Sequence, residues 1–366
     1  MNFDSMKQCA PILFSDSYGE ARRKFRDAVP GAKAYPCSAL GPSGEALYTD
    51  AVHLGPPDAK KLLVLISGTH GEEAYCGSAG QLLFLEAGFH ERLPASTAVL
   101  FVHALNSYGF AWDRRVTAEG CDLNRNFIDF AKPIPANPGY EALHEFLVPE
   151  DNSPEGVEKA RLAIEAYRAE HGDLSVRLAR ASGQYTRPGG MGYGGSGPTE
   201  ARLILEQIVA DFDVESREEV IVIDYHTGLG PYGYGELQCE QPSGLAGYER
   251  AQKIFGPSVT SPDVGNSSSV ILSGTQDEYW ERILGDRHVY VALEYGTYDL
   301  ASGVVIGRND LWLFAHHPDQ ADTELGRKIR KASKQYCYPQ KPDWMEMVLG
   351  RAHLVHRQAL EALATD

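Results

Sequence analysis

Four short runs of hydrophobic residues punctuate the first 300 residues of the chain. They are LLVLI (62–66), AVLFVHAL (98–105), VIVID (220–224) and HVYVALEY (288–295). Each run is nearly continuous rather than alternating and is rich in Val, Ile and Leu, which is typical of strands covered on both faces. These runs therefore predict four central strands of one sheet.

Helical patterns lie between these runs, at residues 74–88, 199–212 and 246–256. Strands that alternate with helices predict an α/β fold with a single doubly wound, mostly parallel (mixed) sheet flanked by helices. After residue 300 the pattern is again mainly helical. No repeat, low-complexity tract or linker divides the sequence, so we expect a single domain over residues 1–366.

One segment interrupts the alternation. Residues 138–186 are charged, follow a helical period and contain no candidate strand. The following TRPGGMGYGGSGP (186–198) is too rich in glycine for a regular element and long enough for a functional loop. We predict a helical insertion and a glycine-rich loop at about 138–198 that pack on the sheet and form part of the wall of a site.

Composition narrows the partners and the compartment. The formal net charge of −16 argues against non-specific nucleic-acid binding, which requires a basic surface. The N-terminal residues are too polar for a signal sequence. The sequence contains no run of ~18 apolar residues, which is the length needed to cross a membrane. The six cysteines are scattered without a C-x-x-C pair, which favours reduced thiols. We expect a cytoplasmic protein without nucleic-acid or membrane partners.

His70 and Glu73 directly follow the first hydrophobic run, in the order His-x-x-Glu. Zinc accepts imidazole nitrogen and carboxylate oxygen, and catalytic zinc sites usually have three protein ligands and one open position. A pattern this short also arises by chance, and acidic residues commonly occupy the first turn of a helix. Glu72 fits that second explanation better than Glu73 does.

His226 follows the third hydrophobic run, again where a strand gives way to glycines. If the strands are parallel, it lies at the same edge of the sheet as His70 and Glu73, where open α/β sheets bind ligands. Alternation places Asp224 on the same side as His226, so Asp224 either orients a histidine or makes a turn hydrogen bond. Two strand ends with matching ligands favour a metal site.

Glu294 ends the fourth hydrophobic run. Beside a metal site, a carboxylate that is not a ligand can act as a general base, whereas alone it would be an ion-paired strand terminus. The segment 114-RRVTAEGCDLNRNF-127 adds several arginines without a helical or strand period. Arginine suits carboxylate binding and oxyanion stabilisation, which a chance ion pair explains poorly at this density.

Four motifs together resemble a known family. HGEE (70–73), DLNRNF (122–127), DYHTG (224–228) and LEYGT (293–297) occur in the order seen in the zinc carboxypeptidase superfamily, which includes the succinylglutamate desuccinylase and aspartoacylase branch. The resemblance spans roughly residues 60–300, and DLNRNF is its most specific part. The sequence looks nearest to an uncharacterised bacterial branch of this superfamily.

The resemblance implies a role for each matching residue of the predicted metal site. His70, Glu73 and His226 match the zinc ligands, and Glu294 matches the general base. Asp122 matches an aspartate that supports the first zinc histidine. Zn²⁺ is therefore the expected cofactor.

The resemblance also implies substrate-binding residues. Asn124 and Arg125 match the pair that binds the carboxylate of the substrate. Arg115 matches the arginine that polarises the scissile carbonyl, and Arg114 is the alternative because the spacing in this region varies. A tyrosine facing the substrate is expected as well; Tyr298 is a guess that no motif supports.

A zinc-dependent hydrolase that cleaves an amide or peptide bond in a substrate with a free carboxylate is the implied activity. The substrate could be a small peptide or an N-acyl amino acid. The insertion departs from simple digestive carboxypeptidases, and the helical residues after Glu294 depart from desuccinylases, which carry a β-rich domain there. A non-catalytic binding protein would lack a ligand or the base, and none is missing. The absence of G-x-S-x-G and P-loop motifs disfavours a serine hydrolase or a P-loop protein.

Overall fold

A mixed sheet of seven strands organises the protein. The computed structural model describes residues 3–365, with side chains from residue 7 onward. The strand order is β1-β2-β4-β3-β5-β7-β6. The strands are β1 (Lys33–Leu40), β2 (Ala46–Leu54), β3 (Lys61–Ile66), β4 (Thr97–His103), β5 (Glu219–Tyr232), β6 (Gly235–Gln238) and β7 (His288–Gly296).

The four predicted strands form the parallel centre of this sheet. Strand β3 pairs in parallel with both β4 and β5, and β5 pairs in parallel with β7. The predicted α/β fold with a mostly parallel, mixed sheet is therefore confirmed. The three strands that the sequence did not predict are antiparallel neighbours at the two sides. Strand β1 is partly exposed and carries Pro36, and β6 has four residues, so neither has the continuous apolar run of a central strand.

Thirteen helices accompany the sheet within the described residues. They are α1 (Phe3–Leu13), α2 (Tyr18–Ala28), α3 (Ala74–Glu86), α4 (Ser107–Trp112), α5 (Pro138–Leu147), α6 (Pro154–His171), α7 (Asp173–Ala181), α8 (Glu200–Asp211), α9 (Ala246–Phe255), α10 (Gln276–Leu284), α11 (Leu300–His316), α12 (Glu324–Cys337) and α13 (Pro342–Leu363). Among them, none has the length and apolar character needed to span a bilayer.

Helices cover both faces of the central strands. Leu63 and Leu65 of β3 belong to one hydrophobic cluster with side chains of α3 and α13. Leu62, Val64 and Ile66 belong to a second cluster with side chains of α8 and α10. Because successive side chains of a strand point to opposite faces, β3 contributes to both clusters, which explains its continuous apolar sequence.

The helices α5, α6 and α7 occupy the predicted insertion. Their hydrophobic cluster is centred on Tyr140, Leu143, Leu147 and Ala179, and among the described residues it includes no strand residue. The expectation that the insertion packs on the sheet was therefore wrong: these helices pack chiefly on one another. They meet the rest of the chain at a cavity beyond the strand ends, where α7 and the glycine-rich loop form part of the wall.

Two glycines allow the turn that follows β3 to pack closely against its neighbours. Gly68 has a φ of 78°, a left-handed conformation that lets the chain turn as β3 ends. Gly71 lies against α4: a Cβ atom there would be 1.9 Å from the carbonyl carbon of Gly109 and 2.2 Å from the nitrogen of Phe110. Only glycine therefore permits this approach, which holds His70 and Glu73 in place.

The first prediction concerns this contact. Gly71→Ala should lower the free energy of unfolding by about 3 kcal/mol, because backbone atoms of α4 must move to admit the methyl group. Chemical denaturation measures the change. Gly19→Ala in α2 is the control, since a Cβ atom there meets nothing within 4 Å. Equal stability of Gly71→Ala and the wild type would contradict the packing constraint.

Candidate metal centre

Three neighbouring strands bring the predicted residues to one edge of the sheet. In the parallel pairing of β5 and β7, His226 lies opposite Glu294. In the pairing of β3 and β5, Ile66 lies opposite Asp224, so the turn after β3 begins beside the same strand end. The 3₁₀ turn Gly71–Glu73 and the start of α3 follow immediately. The shared direction of these parallel strands thus brings together residues that are more than 200 positions apart in the sequence.

Two histidines and one glutamate converge in the interior. The Nδ1 atom of His70 is 3.0 Å from Oε1 of Glu73, and the Nδ1 atom of His226 is 3.2 Å from Oε2 of Glu73. The two Nδ1 atoms are 3.2 Å apart. All three side chains are buried and form a group suited to holding a metal ion.

Aspartates hold the far sides of both imidazoles. Nε2 of His70 lies 3.1 Å from Oδ1 of Asp122, and Nε2 of His226 lies 2.8 Å from Oδ2 of Asp224. Because an ionised carboxylate only accepts hydrogen bonds, each Nε2 donates to its aspartate, which leaves each Nδ1 as the nitrogen that would present a lone pair to a bound metal ion. This tautomer is the one needed for metal binding through Nδ1.

Other side chains fix Asp224 itself. Its carboxylate accepts hydrogen bonds from the hydroxyls of Thr69 and Tyr290 and from the side-chain amide of Gln276, at 2.8–3.0 Å. Of the two alternatives for Asp224, the structure supports histidine orientation. Each of its described partners is a side chain, so no turn hydrogen bond accounts for the residue.

The spacing of the three candidate ligands is consistent with a zinc ion. Ligand atoms at ~2.0–2.1 Å from a tetrahedral zinc lie about 3.3 Å from one another. The separations of 3.0–3.2 Å among Nδ1 of His70, Nδ1 of His226 and the Glu73 carboxylate are close to this value. Imidazole nitrogens and a carboxylate at these separations need a proton or a cation between them, and imidazole with carboxylate suits zinc.

Neighbouring imidazoles and a guanidinium keep Glu73 ionised. Burial opposes its charge, but His70, His226 and Arg115 together hold the pKa of Glu73 well below its usual value. Arg115 donates to Oε1 of Glu73 at 2.9 Å and to Oδ2 of Asp122 at 3.0 Å. Its side chain is 39% exposed and lines the cavity, so one guanidinium contacts both a candidate metal ligand and the carboxylate of Asp122 that holds the His70 imidazole.

Glu294 lies beside this centre without belonging to the ligand group. Its Oε1 accepts a hydrogen bond from the backbone N–H of Leu229 at 2.9 Å. Burial, followed by the charge of Glu73, raises the pKa of Glu294 to about 8. The side chain therefore combines a fixed position at the cavity wall with a proton affinity suited to proton transfer near neutral pH.

Asn124 and Arg125 line the same cavity, which has a volume of about 260 Å³. Arg125 donates through Nε to the carbonyl of Ala181 at 2.8 Å and through one terminal nitrogen to the carbonyl of Asn124 at 2.7 Å. The side-chain oxygen of Asn124 accepts from the backbone N–H of Gln276. Backbone contacts thus hold both side chains in the wall.

Arg114 lies elsewhere. Its Nε is 3.0 Å from both carboxylate oxygens of Asp310, and its guanidinium stacks 3.3 Å from the ring centre of Phe314. It is buried in this contact and does not line the cavity. The alternative role for Arg114 in substrate binding is therefore not supported, because Arg114 anchors α11 instead.

Two residues differ from what the sequence suggested for the cavity wall. Glu72, interpreted as a first-turn residue, lines the cavity, and burial raises its pKa to about 8. It forms a second group of potential ligand atoms with Glu73 and Cys337, all within 4.8 Å of one another. The tyrosine in the wall is Tyr336 of α12 rather than Tyr298. No motif around Tyr336 signals this position.

Comparison with known proteins identifies the family. The model described as "Protein of unknown function (DUF2817)" matches residues 14–351. The chain belongs to this family. A search of curated proteins finds no match.

Several solved structures have a similar fold. One is bovine thrombin-activatable fibrinolysis inhibitor, with 12% sequence identity and a TM-score of 0.40; the match covers 93% of this chain and 98% of that one. A metallo-carboxypeptidase from Burkholderia cenocepacia has 13% identity, a TM-score of 0.41 and coverage of 94% and 70%. Succinylglutamate desuccinylase from Chromobacterium violaceum has 14% identity, a TM-score of 0.38 and coverage of 90% and 76%. The chain is thus similar in fold both to a carboxypeptidase and to a desuccinylase.

The second prediction tests the metal centre. Purified protein should bind about one zinc ion per chain, and His70→Ala should abolish this binding. Asp224→Asn should weaken zinc affinity about 10- to 100-fold, because the amide no longer fixes the tautomer of His226. Metal analysis and competition with a chelator give these values. Asp211→Asn, at the end of α8 and paired with Lys33, is the matched control. Unchanged zinc content in His70→Ala would disprove the site.

Proposed function

We propose that the protein is a zinc-dependent hydrolase that cleaves an amide bond in a small substrate with a free carboxylate. The observation that carries this proposal is the meeting of His70, Glu73 and His226 with Glu294 and Arg125 around one cavity. A group of candidate metal ligands, a proton carrier and an arginine that makes no ion pair with the described side chains are the parts that such a reaction requires.

His70, Glu73 and His226 would hold the zinc ion. When bound, zinc supplies Lewis acidity at the carbonyl and lowers the pKa of water at the site. The residues of the chain prepare for this charge in advance. Asp122 and Asp224 orient the imidazoles. Arg115 donates one hydrogen bond to Glu73 and another to Asp122.

Glu294 is the proposed general base. It would take a proton from the attacking water and deliver it to the departing amine as the C–N bond breaks. A carboxyl group must accept and then release this proton, so a pKa raised by burial suits the task. The hydrogen bond from Leu229 keeps the carboxylate at the cavity wall during both transfers.

Arg115 is the proposed donor to the developing oxyanion. A guanidinium has five N–H donors, and the ion pairs with Glu73 and Asp122 use two of them. The remaining donors belong to a side chain that is partly exposed to the cavity. Because the two carboxylates hold the guanidinium rigidly, little reorganisation is needed when charge develops on the carbonyl oxygen.

Arg125 and Asn124 are the proposed binding pair for the substrate carboxylate. Arg125 is only 5% exposed, and among the side chains of residues 7–365 no carboxylate forms an ion pair with it. A buried guanidinium that makes no ion pair favours an anionic ligand. This requirement is common to peptides with a free C-terminus and to N-acyl amino acids.

The third prediction concerns the reaction. Zinc-loaded protein should release the amine from at least one member of two panels: N-blocked dipeptides, and N-acyl amino acids. Methyl esters of the same compounds should be poor substrates, because they present no charge to Arg125. Amine release measured by a ninhydrin-type assay decides between the panels. Absence of turnover in both panels, at full zinc loading, would favour a non-catalytic binding protein.

The fourth prediction isolates the base. Glu294→Gln should retain zinc and lower kcat about 10²- to 10⁴-fold, since the amide cannot accept the proton. Glu218→Gln, an exposed residue paired with Lys60, should behave as the wild type. Metal analysis and initial rates on the best substrate provide both readouts. Near-wild-type turnover in Glu294→Gln would remove Glu294 from this role.

A further inference from the structure

Three arginines are grouped on one wall of the cavity. Arg177 and Arg180 are three residues apart on α7, so they lie on the same side of that helix. Arg125 donates to the carbonyl of Ala181, the last residue of α7, at 2.8 Å. All three arginines line the cavity that contains the metal-ligand group. The end of α7 therefore gathers three positive charges beside the proposed site.

Protein carboxylates do not neutralise this group. Among the side chains of residues 7–365, none forms an ion pair with Arg177 or Arg180. The same is true of Arg125, which also makes no ion pair with these side chains. Arg177 donates one hydrogen bond, to the carbonyl of Ser268 at 3.1 Å. Burial, followed by the charge of Arg177, lowers the pKa of Arg180. Like charges held together in a partly buried wall disfavour the folded state, unless an anion binds there.

The acidic residues of the cavity have other partners or positions. Glu73 and Asp122 contact Arg115, and Asp310 contacts Arg114. Glu240 also lines the cavity; burial raises its pKa to about 7, and Arg125 opposes this effect. Glu240 therefore offers a partial counter-charge to Arg125. The pair on α7 feels the opposite charges of Arg168 and Asp173, which form an ion pair with each other, and makes no ion pair of its own among the described side chains.

We propose that Arg177 and Arg180 bind a second carboxylate of the substrate. The proposal rests on the proposed function, in which Arg125 and Asn124 hold the first carboxylate. Because the three arginines share one wall at the end of α7, both carboxylates belong to the same half of the substrate. The substrate class is an amide whose departing amine is an acidic amino acid, with one carboxylate on its backbone and one on its side chain.

Isosteric substrates test this class. The same N-blocked dipeptide or N-acyl compound is prepared with glutamate or with glutamine as the amine half, so that the two differ by one charge. The wild type should prefer glutamate at least about tenfold in kcat/KM, since a charge-assisted hydrogen bond is at stake. Arg177→Gln and Arg180→Gln should each lose most of this preference, through a higher KM for the glutamate substrate alone.

A binding measurement separates this proposal from the proposed function. Calorimetric titration of the zinc-loaded protein with free L-glutamate and L-glutamine should give the same order of preference without any turnover. If no substrate is cleaved but glutamate binds at least about tenfold more tightly, the hydrolase proposal fails and the subsite stands. Equal binding of the two amino acids by the wild type would overturn the subsite. A preference for glutamate that is unchanged in both Arg177→Gln and Arg180→Gln would overturn it as well.

Two further variants control for charge and folding. Arg161→Gln removes one positive charge from α6, where Arg161 pairs with Glu158 and Glu165, and it should leave the preference unchanged. Arg180→Lys keeps the charge and should retain part of the preference. A merely structural role for Arg180 would instead lower the rates with glutamate and glutamine substrates equally.

Discussion

The candidate site depends on the shared direction of β3, β5 and β7. Their carboxyl ends meet at one edge, so His226 and Glu294 lie opposite each other, and the turn after β3 brings His70 and Glu73 to them. A one-residue slip in a strand would turn its side chains to the other face of the sheet. Helices packed on both faces oppose such a slip, because each face of the central strands belongs to a hydrophobic cluster. The core therefore holds the position of the reactive groups.

Charge compensation is the second requirement, because the site places several carboxylates in the interior. Burying an ion is favourable only when partners replace its hydration. Asp224 receives hydrogen bonds from three side chains besides His226, and Asp122 contacts both His70 and Arg115. These contacts replace the hydration of the carboxylates and keep the imidazoles oriented. The same contacts that make the burial tolerable thus prepare the centre for a cation.

Chemistry and recognition come from different parts of the fold. The proposed metal ligands and base lie on or directly after central strands, whose packing leaves little freedom. The arginines proposed to select the substrate lie on α7, within an insertion that has a hydrophobic cluster of its own. Such a division allows the insertion to change specificity while the sheet keeps the reactive groups in place. Arg125 joins the two parts, because it follows Asn124 in the wall and donates to the last residue of α7.

The sequence alone determined the central strands and the ligand candidates, because burial on both faces and short-range motifs leave a local record. Continuous apolar runs identified β3, β4, β5 and β7, and alternation correctly placed Asp224 beside His226. Contacts between distant residues leave no such record. Arg114 and Arg115 are adjacent and chemically identical, yet Asp310, 196 positions later, holds the first away from the cavity. Likewise, only the folded chain brings Glu72, Tyr336 and the arginine pair of α7 to the same cavity. The physical reason is that local periodicity reports which face is buried, whereas the identity of each long-range partner is decided by tertiary packing.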